Sequence, residues 1–140
     1  MKSVVVDASV VAAAFFQEPH AGAARLILSS KGPLCAPDLI VPDVANVIWK
    51  RHGRGEIDDS EARQLLTDIL KLPLRLTPSS DLAEAALALA LESGRTVYDC
   101  MYLALAVTLE TAVVSADKRL FNALAKTPLA GHITWLGHDA

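Results

Sequence analysis

Two aspartates stand just after short apolar runs of the chain, one immediately and one three residues later. Asp7 ends the β-branched run at residues 4–6, and Asp117 follows the apolar run at residues 112–114. Such runs predict buried strands of a parallel sheet. Because the reactive groups of an open parallel α/β sheet lie at the carboxyl ends of its strands, both carboxylates stand where chemistry is expected. An N-cap for the following helix explains Asp7 equally well when it is taken alone.

Two further aspartates lie near predicted helix starts. Asp43 follows Pro42, which falls early enough in its helix to be tolerated in or near the first turn. Asp99 is the third residue after Thr96, and this S/T-x-x-D/E spacing is typical of a helix N-terminus. Strand ends and helix starts converge on one edge of a doubly wound sheet. We therefore expect all four carboxylates to lie together.

A cluster of four carboxylates indicates metal chemistry. Like charges a few ångströms apart raise one another's pKa, so such a cluster normally persists when a cation neutralises it. Hard oxygen ligands favour Mg²⁺ or Mn²⁺. We expect Asp7, Asp99 and Asp117 to be metal ligands, with Asp43 as a fourth catalytic carboxylate. A metal held in this way activates a water and supports in-line displacement at a phosphodiester, so the sequence predicts a metal-dependent nuclease.

Other polar residues near these acids are candidates for supporting roles. Ser115 is placed to hydrogen-bond a carboxylate or a metal-bound water, although satisfying local backbone groups explains it as well. Asn46 comes one turn after Asp43, and either support of the site or a helix-packing hydrogen bond accounts for it. The basic segment at 50–54 is also explained by favourable cations at the negative end of a helix dipole. The candidate cations for binding a nucleic-acid substrate are Lys50, Arg51, Arg54, Lys118 and Arg119.

Composition limits the class of protein. With 140 residues, of which 52% are hydrophobic, residues 1–140 are expected to form one globular domain with a sizeable core. A formal net charge of −3 argues against a surface given over entirely to nucleic acid. It leaves room for a local basic groove.

Cysteine usage and hydropathy predict a cytoplasmic protein. Cys35 and Cys100 lie far apart in apolar surroundings and form no C-x-x-C, which indicates buried free thiols in a reducing compartment. Residues 4–16 are apolar but contain Asp7 and follow a single Lys2, so they lack the features of a signal peptide. No uncharged apolar run reaches the ~20 residues that a membrane span needs.

Hydrophobic periodicity predicts alternating strands and helices along the chain. The order β, α, α, β, α, α, β, α, α, β, α, β indicates an α/β fold with a central parallel sheet between helices. We predict strands at 4–6, 34–36, 74–77, 112–114 and 133–136. We predict helices at 10–16, 20–30, 38–51, about 59–70, about 79–93, from 96 onward, and 117–125.

The two helices predicted between residues 38 and 70 carry wide apolar stripes. Ile48 and Trp49 are adjacent on the first helix, and Leu65 and Leu66 are adjacent on the second. Part of each stripe is therefore expected to extend beyond the core. Because exposed apolar patches usually mark interaction surfaces, we expect a partner to bind here.

Four segments of the chain resemble the motifs of PIN-domain ribonucleases, specifically the VapC-type toxins. They are Val4-Val5-Val6-Asp7-Ala8-Ser9, Leu39-Ile40-Val41-Pro42-Asp43-Val44-Ala45-Asn46-Val47, Tyr98-Asp99-Cys100-Met101-Tyr102-Leu103-Ala104 and Ser115-Ala116-Asp117. The resemblance implies a PIN-like three-layer α/β/α sandwich and Mg²⁺- or Mn²⁺-dependent endoribonuclease activity. It also implies a type II toxin–antitoxin module, in which a VapB-type antitoxin binds the helices at 38–70 beside a homodimer contact.

The second acidic position departs from the family pattern. The family usually carries Glu there, whereas the matching residue here is Asp43, whose side chain is one methylene shorter. Asp38 is the only other acid nearby, and its place before the helix predicts an N-cap. We therefore retain Asp43 as the candidate and predict that a longer carboxylate at this position strengthens metal binding.

Two other phosphate-handling folds fit the sequence less well, and one alternative function stays open. A phosphatase of the haloacid-dehalogenase class needs a second Asp two residues after the first, where this chain has Ser9. A receiver domain needs a lysine at the end of a late strand, and Lys118 is not at that position. The open alternative is a PIN-like domain that binds RNA or a partner protein without cutting.

Overall fold

Parallel strands form the central sheet. The computed structural model describes residues 2–16 and 18–137. The strands in this part of the chain are β1 (Val4–Val6), β2 (Leu34–Pro37), β3 (Leu74–Thr77), β4 (Val113–Ser115) and β5 (Ile133–Trp135). Their order across the sheet is β3-β2-β1-β4-β5, and every neighbouring pair is parallel.

Helices connect these strands in the order that the sequence predicted. They are α1 (Ala8–Phe15), α2 (Ala21–Leu28), α3 (Ile40–Gly53), α4 (Asp59–Ile69), α5 (Ser79–Ser93), α6 (Val97–Thr108) and α7 (Lys118–Leu124), and a 3₁₀ turn spans Ala130–His132. The prediction of an α/β fold with a central parallel sheet is confirmed. None of the helices in the described residues is both long enough and apolar enough to cross a membrane.

The order of the strands places a crevice beside β1. The chain leaves β1 for β2 and β3 on one side of the sheet and later returns to β4 and β5 on the other. Val5 is in register with Cys35 of β2 and with Val113 of β4, so β1 has a neighbour on each side. Ligands of open α/β sheets bind at such a reversal of strand order, outside the carboxyl ends of the strands.

The core is built on the central strands and on α6. Val5 and Val6 have no exposed surface, and all four residues of β2 are buried. Helix α6 buries Cys100 and residues 102–106. Cys35 and Cys100 are buried free thiols, which confirms that prediction.

One predicted helix cap is wrong. Asp38 does not cap α3, whose N-cap is Leu39 and has no side-chain cap hydrogen bond. Instead Asp38 accepts hydrogen bonds from the backbone N–H of Ser79 at 2.9 Å and from the Ser79 hydroxyl. Pro37 of β2 and Thr77 of β3 are in register, so the residues that follow these strands lie side by side. Asp38 therefore caps α5 across the strand pair.

Candidate active site

All four aspartates selected from the sequence line one pocket. The pocket has a volume of about 200 Å³ and lies where β1 and β4 end, at the reversal of strand order. Its lining residues are Asp7, Ala8, Ser9, Asp43, Val47, Asp99, Tyr102, Leu103, Val113, Asp117 and Leu120. The structure thus brings the four carboxylates into one pocket, and their roles as ligands stay a prediction.

Asp7 is both the N-cap of α1 and one of the residues that line this pocket. Its Oδ1 accepts hydrogen bonds from the backbone N–H groups of Ser9 at 3.0 Å and Val10 at 3.3 Å, and from the Ser9 hydroxyl at 2.5 Å. Only 8% of Asp7 is exposed. Burial raises the pKa of Asp7 from 3.8 to about 6, against the opposing effect of hydrogen bonds from Ser115 and Ser9. The helix cap and a catalytic role are therefore compatible.

Asp117 repeats this arrangement at the end of β4. Its Oδ1 accepts hydrogen bonds from the backbone N–H groups of Arg119 at 3.0 Å and Leu120 at 3.2 Å, which makes it the N-cap of α7. Unlike Asp7, this aspartate is exposed. In both strand-end carboxylates the helix cap engages Oδ1, which leaves Oδ2 outside the capping hydrogen bonds.

A pair of serine hydroxyls links the ends of β1 and β4. Ser9 Oγ accepts a hydrogen bond from the backbone N–H of Ala116 at 2.8 Å and lies 3.3 Å from Ser115 Oγ. Ser115 is fully buried, and its hydroxyl accepts from the backbone N–H of Asp117 at 3.0 Å. Ser115 therefore satisfies local backbone, and its hydroxyl also lowers the pKa of Asp7. Ser9 was not among the residues predicted from the sequence, although its place two residues after Asp7 was the available indication.

Asp43 is positioned by Tyr102, which was also not among the residues predicted from the sequence. The Tyr102 hydroxyl donates a hydrogen bond to Asp43 Oδ2 at 2.8 Å, and only 5% of Tyr102 is exposed. Burial and the neighbouring Asp43 carboxylate raise the pKa of Tyr102 well above its ordinary value, so the phenol stays a hydrogen-bond donor. Its position three residues after Asp99 places both side chains on one face of α6.

Asp99 lies in the first turn of α6, where Thr96 is the N-cap. Its backbone N–H donates to Thr96 Oγ1 at 3.1 Å, as the S/T-x-x-D spacing predicted. The pKa of Asp99 is raised, chiefly by desolvation and further by the charges of Asp117 and Asp43, while Arg95 lowers it. The carboxylates of the pocket thus influence one another electrostatically. Arg95, whose guanidinium lies 3.5 Å from Asp99, was not selected from the sequence.

Asn46 and the predicted RNA-binding cations lie outside the pocket lining. Asn46 is exposed on α3. Arg51 forms ion pairs with Glu18 and Glu56 and lies over the ring of Phe16, so its charge is already engaged. The remaining candidates are exposed: Lys50, Arg54, Lys118 and Arg119, of which Lys118 lies over the Trp135 ring. Their roles in RNA binding stay predictions.

The donor atoms of the pocket suit a hard divalent cation. Four carboxylates and the Ser9 and Tyr102 hydroxyls offer only oxygen, which Mg²⁺ and Mn²⁺ prefer. Within residues 2–16 and 18–137, however, no three His, Cys, Asp or Glu side chains form a ready-made metal cage. Mg²⁺ is usually held by one or two carboxylates together with several waters. The residues therefore fit a cation that keeps part of its hydration shell.

The fold and the pocket together define a class: an α/β domain with an acidic site at the switch point of a parallel sheet. The chain belongs to the PIN-domain family, whose model matches residues 4–127. Ribonuclease VapC3 of Pyrobaculum aerophilum is 34% identical over 119 residues, which are 84% of this chain and 91% of that protein. The recognition of a VapC-type PIN-domain ribonuclease from four motifs is confirmed, and with it the enzyme class.

Solved structures show the same fold. The crystal structure of PAE2754 from Pyrobaculum aerophilum superposes with a TM-score of 0.71 at 24% identity, covering 96% of this chain and 84% of that one. The structure of VapBC2 from Rickettsia felis, bound to a DNA fragment from their promoter, has a TM-score of 0.62 at 11% identity, covering 95% and 98%. The expected PIN-like α/β/α sandwich is therefore confirmed.

Proposed function

We propose that this chain is a Mg²⁺- or Mn²⁺-dependent endoribonuclease and the toxin of a type II toxin–antitoxin module. The observation that carries the proposal is the convergence of Asp7, Asp43, Asp99 and Asp117 on one pocket at the switch point of the sheet. The ribonuclease names of its curated relatives support the same activity.

The four carboxylates have two proposed roles at the cation site. Asp7, Asp99 and Asp117 are the proposed ligands, and Asp43 completes the acidic wall of the pocket. A bound Mg²⁺ or Mn²⁺ supplies an activated water and stabilises the charge of the phosphodiester during displacement. The backbone N–H groups of α1 and α7 hold one oxygen of Asp7 and one of Asp117, which orients the other oxygen of each carboxylate.

Neighbouring hydroxyls keep these carboxylates in place. Ser9 and Ser115 tie the end of β1 to the end of β4, so Asp7 and Asp117 keep a fixed separation. Tyr102 holds one oxygen of Asp43 through a donor that stays protonated. Preorganised ligands matter because a misplacement of about 1 Å can cost ~10²-fold in rate.

The direct test is cleavage of a mixed cellular RNA pool by purified protein, with and without Mg²⁺, followed by mapping of the cut ends. We expect internal cuts that require the metal, and their loss in Asp7→Asn and Asp99→Asn. Asp81→Asn is the matched control, because Asp81 is an exposed acid in the first turn of α5 as Asp99 is in the first turn of α6. Equal cleavage by Asp99→Asn and wild type would contradict the proposal.

The same assay distinguishes the alternative function. A wild-type protein that binds Mn²⁺ and RNA but produces no cuts would favour a PIN-like module that acts by binding alone.

A VapB-type antitoxin is the proposed partner, and the face between α3 and α4 is its proposed docking surface. Trp49 is 69% exposed there, beside an open cleft of about 280 Å³. The residues lining this cleft are Ala45, Ile48, Trp49, His52, Asp59, Ala62 and Arg63. Solved structures of related fold include a toxin–antitoxin complex from Klebsiella pneumoniae and VapBC2 from Rickettsia felis.

Co-expression of this chain with a candidate VapB-type antitoxin tests this surface. We expect the isolated chain to be a homodimer in light scattering and its cleavage to be blocked by the partner. Trp49→Glu should weaken that inhibition, whereas Leu91→Glu, at an 80% exposed leucine on α5, should leave it unchanged. A monomeric wild type whose inhibition is untouched by Trp49→Glu would refute the interface.

A further inference from the structure

Arg95, in the loop between α5 and α6, contacts Asp99 of the acidic pocket. The chain leaves α5 at Gly94, whose φ of +73° is a conformation that favours glycine. The Arg95 backbone N–H donates to the Ser93 hydroxyl at 3.1 Å, and its Nη2 lies 3.5 Å from Asp99 Oδ2. Among the ion pairs of residues 2–16 and 18–137, this is the one that includes a carboxylate of the pocket.

The guanidinium of Arg95 is incompletely bonded in this position. Charge-assisted N–H···O hydrogen bonds are typically ~2.7–2.9 Å long, so the 3.5 Å contact with Asp99 is loose. Arg95 Nε is buried and has no hydrogen-bond partner in the described part of the chain, although buried polar atoms nearly always have one. The side chain is 34% exposed, so a rotation of the guanidinium can present its donors to an anion beside Asp99.

Two of the cations described above are less available for this task. Arg51 is committed to Glu18 and Glu56. Lys118 lies over the Trp135 ring, and an ammonium group offers a point charge rather than a planar pair of donors. Arg95 therefore combines contact with the pocket, spare donors and a geometry that matches two phosphate oxygens.

We propose that Arg95 binds a backbone phosphate of the RNA next to the bond that is cut at the pocket. The inference rests on the proposed ribonuclease function. An RNA chain must bring a phosphate anion up to four carboxylates, and a cation on the flank of Asp99 offsets their repulsion. Bidentate hydrogen bonds from Arg95 then fix the register of the strand without selecting its sequence.

RNA binding in a cleavage-deficient background tests the inference. We suggest measuring the fluorescence anisotropy of a labelled single-stranded RNA of mixed sequence with Asp7→Asn protein in Mg²⁺ at several salt concentrations. Adding Arg95→Gln should weaken binding about tenfold and lower the slope of log K against log salt by about 0.7, the value for one phosphate contact. Arg75→Gln, on the exposed edge strand β3, is the matched control and should change neither quantity.

Arg95→Lys keeps the charge and loses the planar pair of donors. It should retain the salt slope but bind RNA several-fold more weakly than the parent. If Arg95→Gln proves unfolded by circular dichroism, Arg95→Lys alone decides the matter, and unchanged affinity would overturn the proposal. Unchanged RNA affinity and slope in a folded Arg95→Gln protein would also overturn it, and would leave Arg95 as a counter-ion of Asp99.

Failure of the inference is distinguishable from failure of the proposed function. If wild-type protein does not cut RNA but its binding depends on Arg95, the ribonuclease proposal fails and the phosphate contact stands. If wild-type protein cuts RNA and RNA binding does not depend on Arg95, the ribonuclease proposal stands and the phosphate contact fails.

Discussion

The four aspartates of the pocket form two pairs that are held in different ways. Asp7 and Asp117 follow strands and are fixed by backbone N–H groups of the helices that begin directly after them. Asp43 and Asp99 lie in the first turns of helices, and their carboxylates contact the side chains of Tyr102 and Arg95. The first pair is therefore positioned by local chain geometry, and the second depends on individual side chains.

This difference predicts how each pair responds to mutation. Asparagine caps a helix as well as aspartate does, so a strand-end carboxylate can lose its charge without losing its position. A helix carboxylate loses its position when its side-chain partner is removed, even though its own charge is kept.

Asp7→Asn should stabilise the metal-free protein above pH 6. The pKa of Asp7 rises from 3.8 to about 6 on folding, mainly because the carboxyl is buried. The fold therefore favours protonated Asp7, and this contribution is complete below about pH 4 and lost as the pH rises through 6. This loss lowers the free energy of unfolding of the wild type by about 3 kcal/mol. Asparagine carries no charge at any of these pH values, so Asp7→Asn should not lose this stability.

Urea unfolding in EDTA at pH 4 and pH 7.5 measures this effect. The free energy of unfolding of Asp7→Asn should exceed that of wild type by more at pH 7.5 than at pH 4. Asp117→Asn, at the exposed cap, should change the free energy of unfolding by about 0.5 kcal/mol or less. A pH-independent loss of stability in Asp7→Asn would show that its carboxylate is needed for the fold itself.

Asp43→Glu should tighten metal binding or raise the cleavage rate. The longer side chain matches the residue usual in the family, and a ligand displaced by about 1 Å can cost up to ~10²-fold in rate. Metal titration of cleavage by wild type, Asp43→Glu and Asp43→Ala checks the expectation. If both variants behave like wild type, Asp43 has no part in metal binding or cleavage and the site has three acids.

Tyr102→Phe should lower Mn²⁺ affinity about tenfold. A hydrogen bond to a charged group is worth about 1.5–3 kcal/mol, and this variant removes the one that Tyr102 donates to Asp43. Isothermal titration with Mn²⁺ measures the change. Tyr98→Phe, one turn earlier on α6 at a 65% exposed residue, is the control and should bind Mn²⁺ as wild type does. Equal Mn²⁺ affinities of Tyr102→Phe and Tyr98→Phe would contradict a positioning role for Tyr102.

Asp117→Ala should cost about 1 kcal/mol of stability, which is the usual value for loss of an N-cap. Asp117→Asn keeps the acceptor for Arg119 and Leu120 and should cost far less. Thermal unfolding of both variants in EDTA separates the cap from the charge. Equal destabilisation by both substitutions would mean that the charge of Asp117, rather than its cap, holds the start of α7.

The sequence predicted the elements that are determined locally. The order of strands and helices followed from hydrophobic periodicity, and the roles of Asp7 and Thr96 as caps followed from residue type and spacing. The cap supplied by Asp38 could not be predicted in the same way, because its partner Ser79 is distant in sequence and adjacent only across β2 and β3.

The side-chain contacts of Asp43 and Asp99 could not be predicted from the sequence for the same reason. The bond between Tyr102 and Asp43 joins α6 to α3, and its existence depends on how these helices pack. Arg95 precedes a helix whose start was predicted, yet nothing in its spacing showed that its Nε would be buried without a partner among the described residues. Packing, rather than local propensity, determined these features.

Electron paramagnetic resonance of free Mn²⁺ during a titration with protein measures whether the pocket binds this ion. We predict that wild-type protein and Asp81→Asn remove the free Mn²⁺ signal, whereas Asp99→Asn at the same concentration leaves most of it. Mn²⁺ uptake that is absent in wild type, or equal in wild type and Asp99→Asn, would contradict a metal site formed by these four carboxylates.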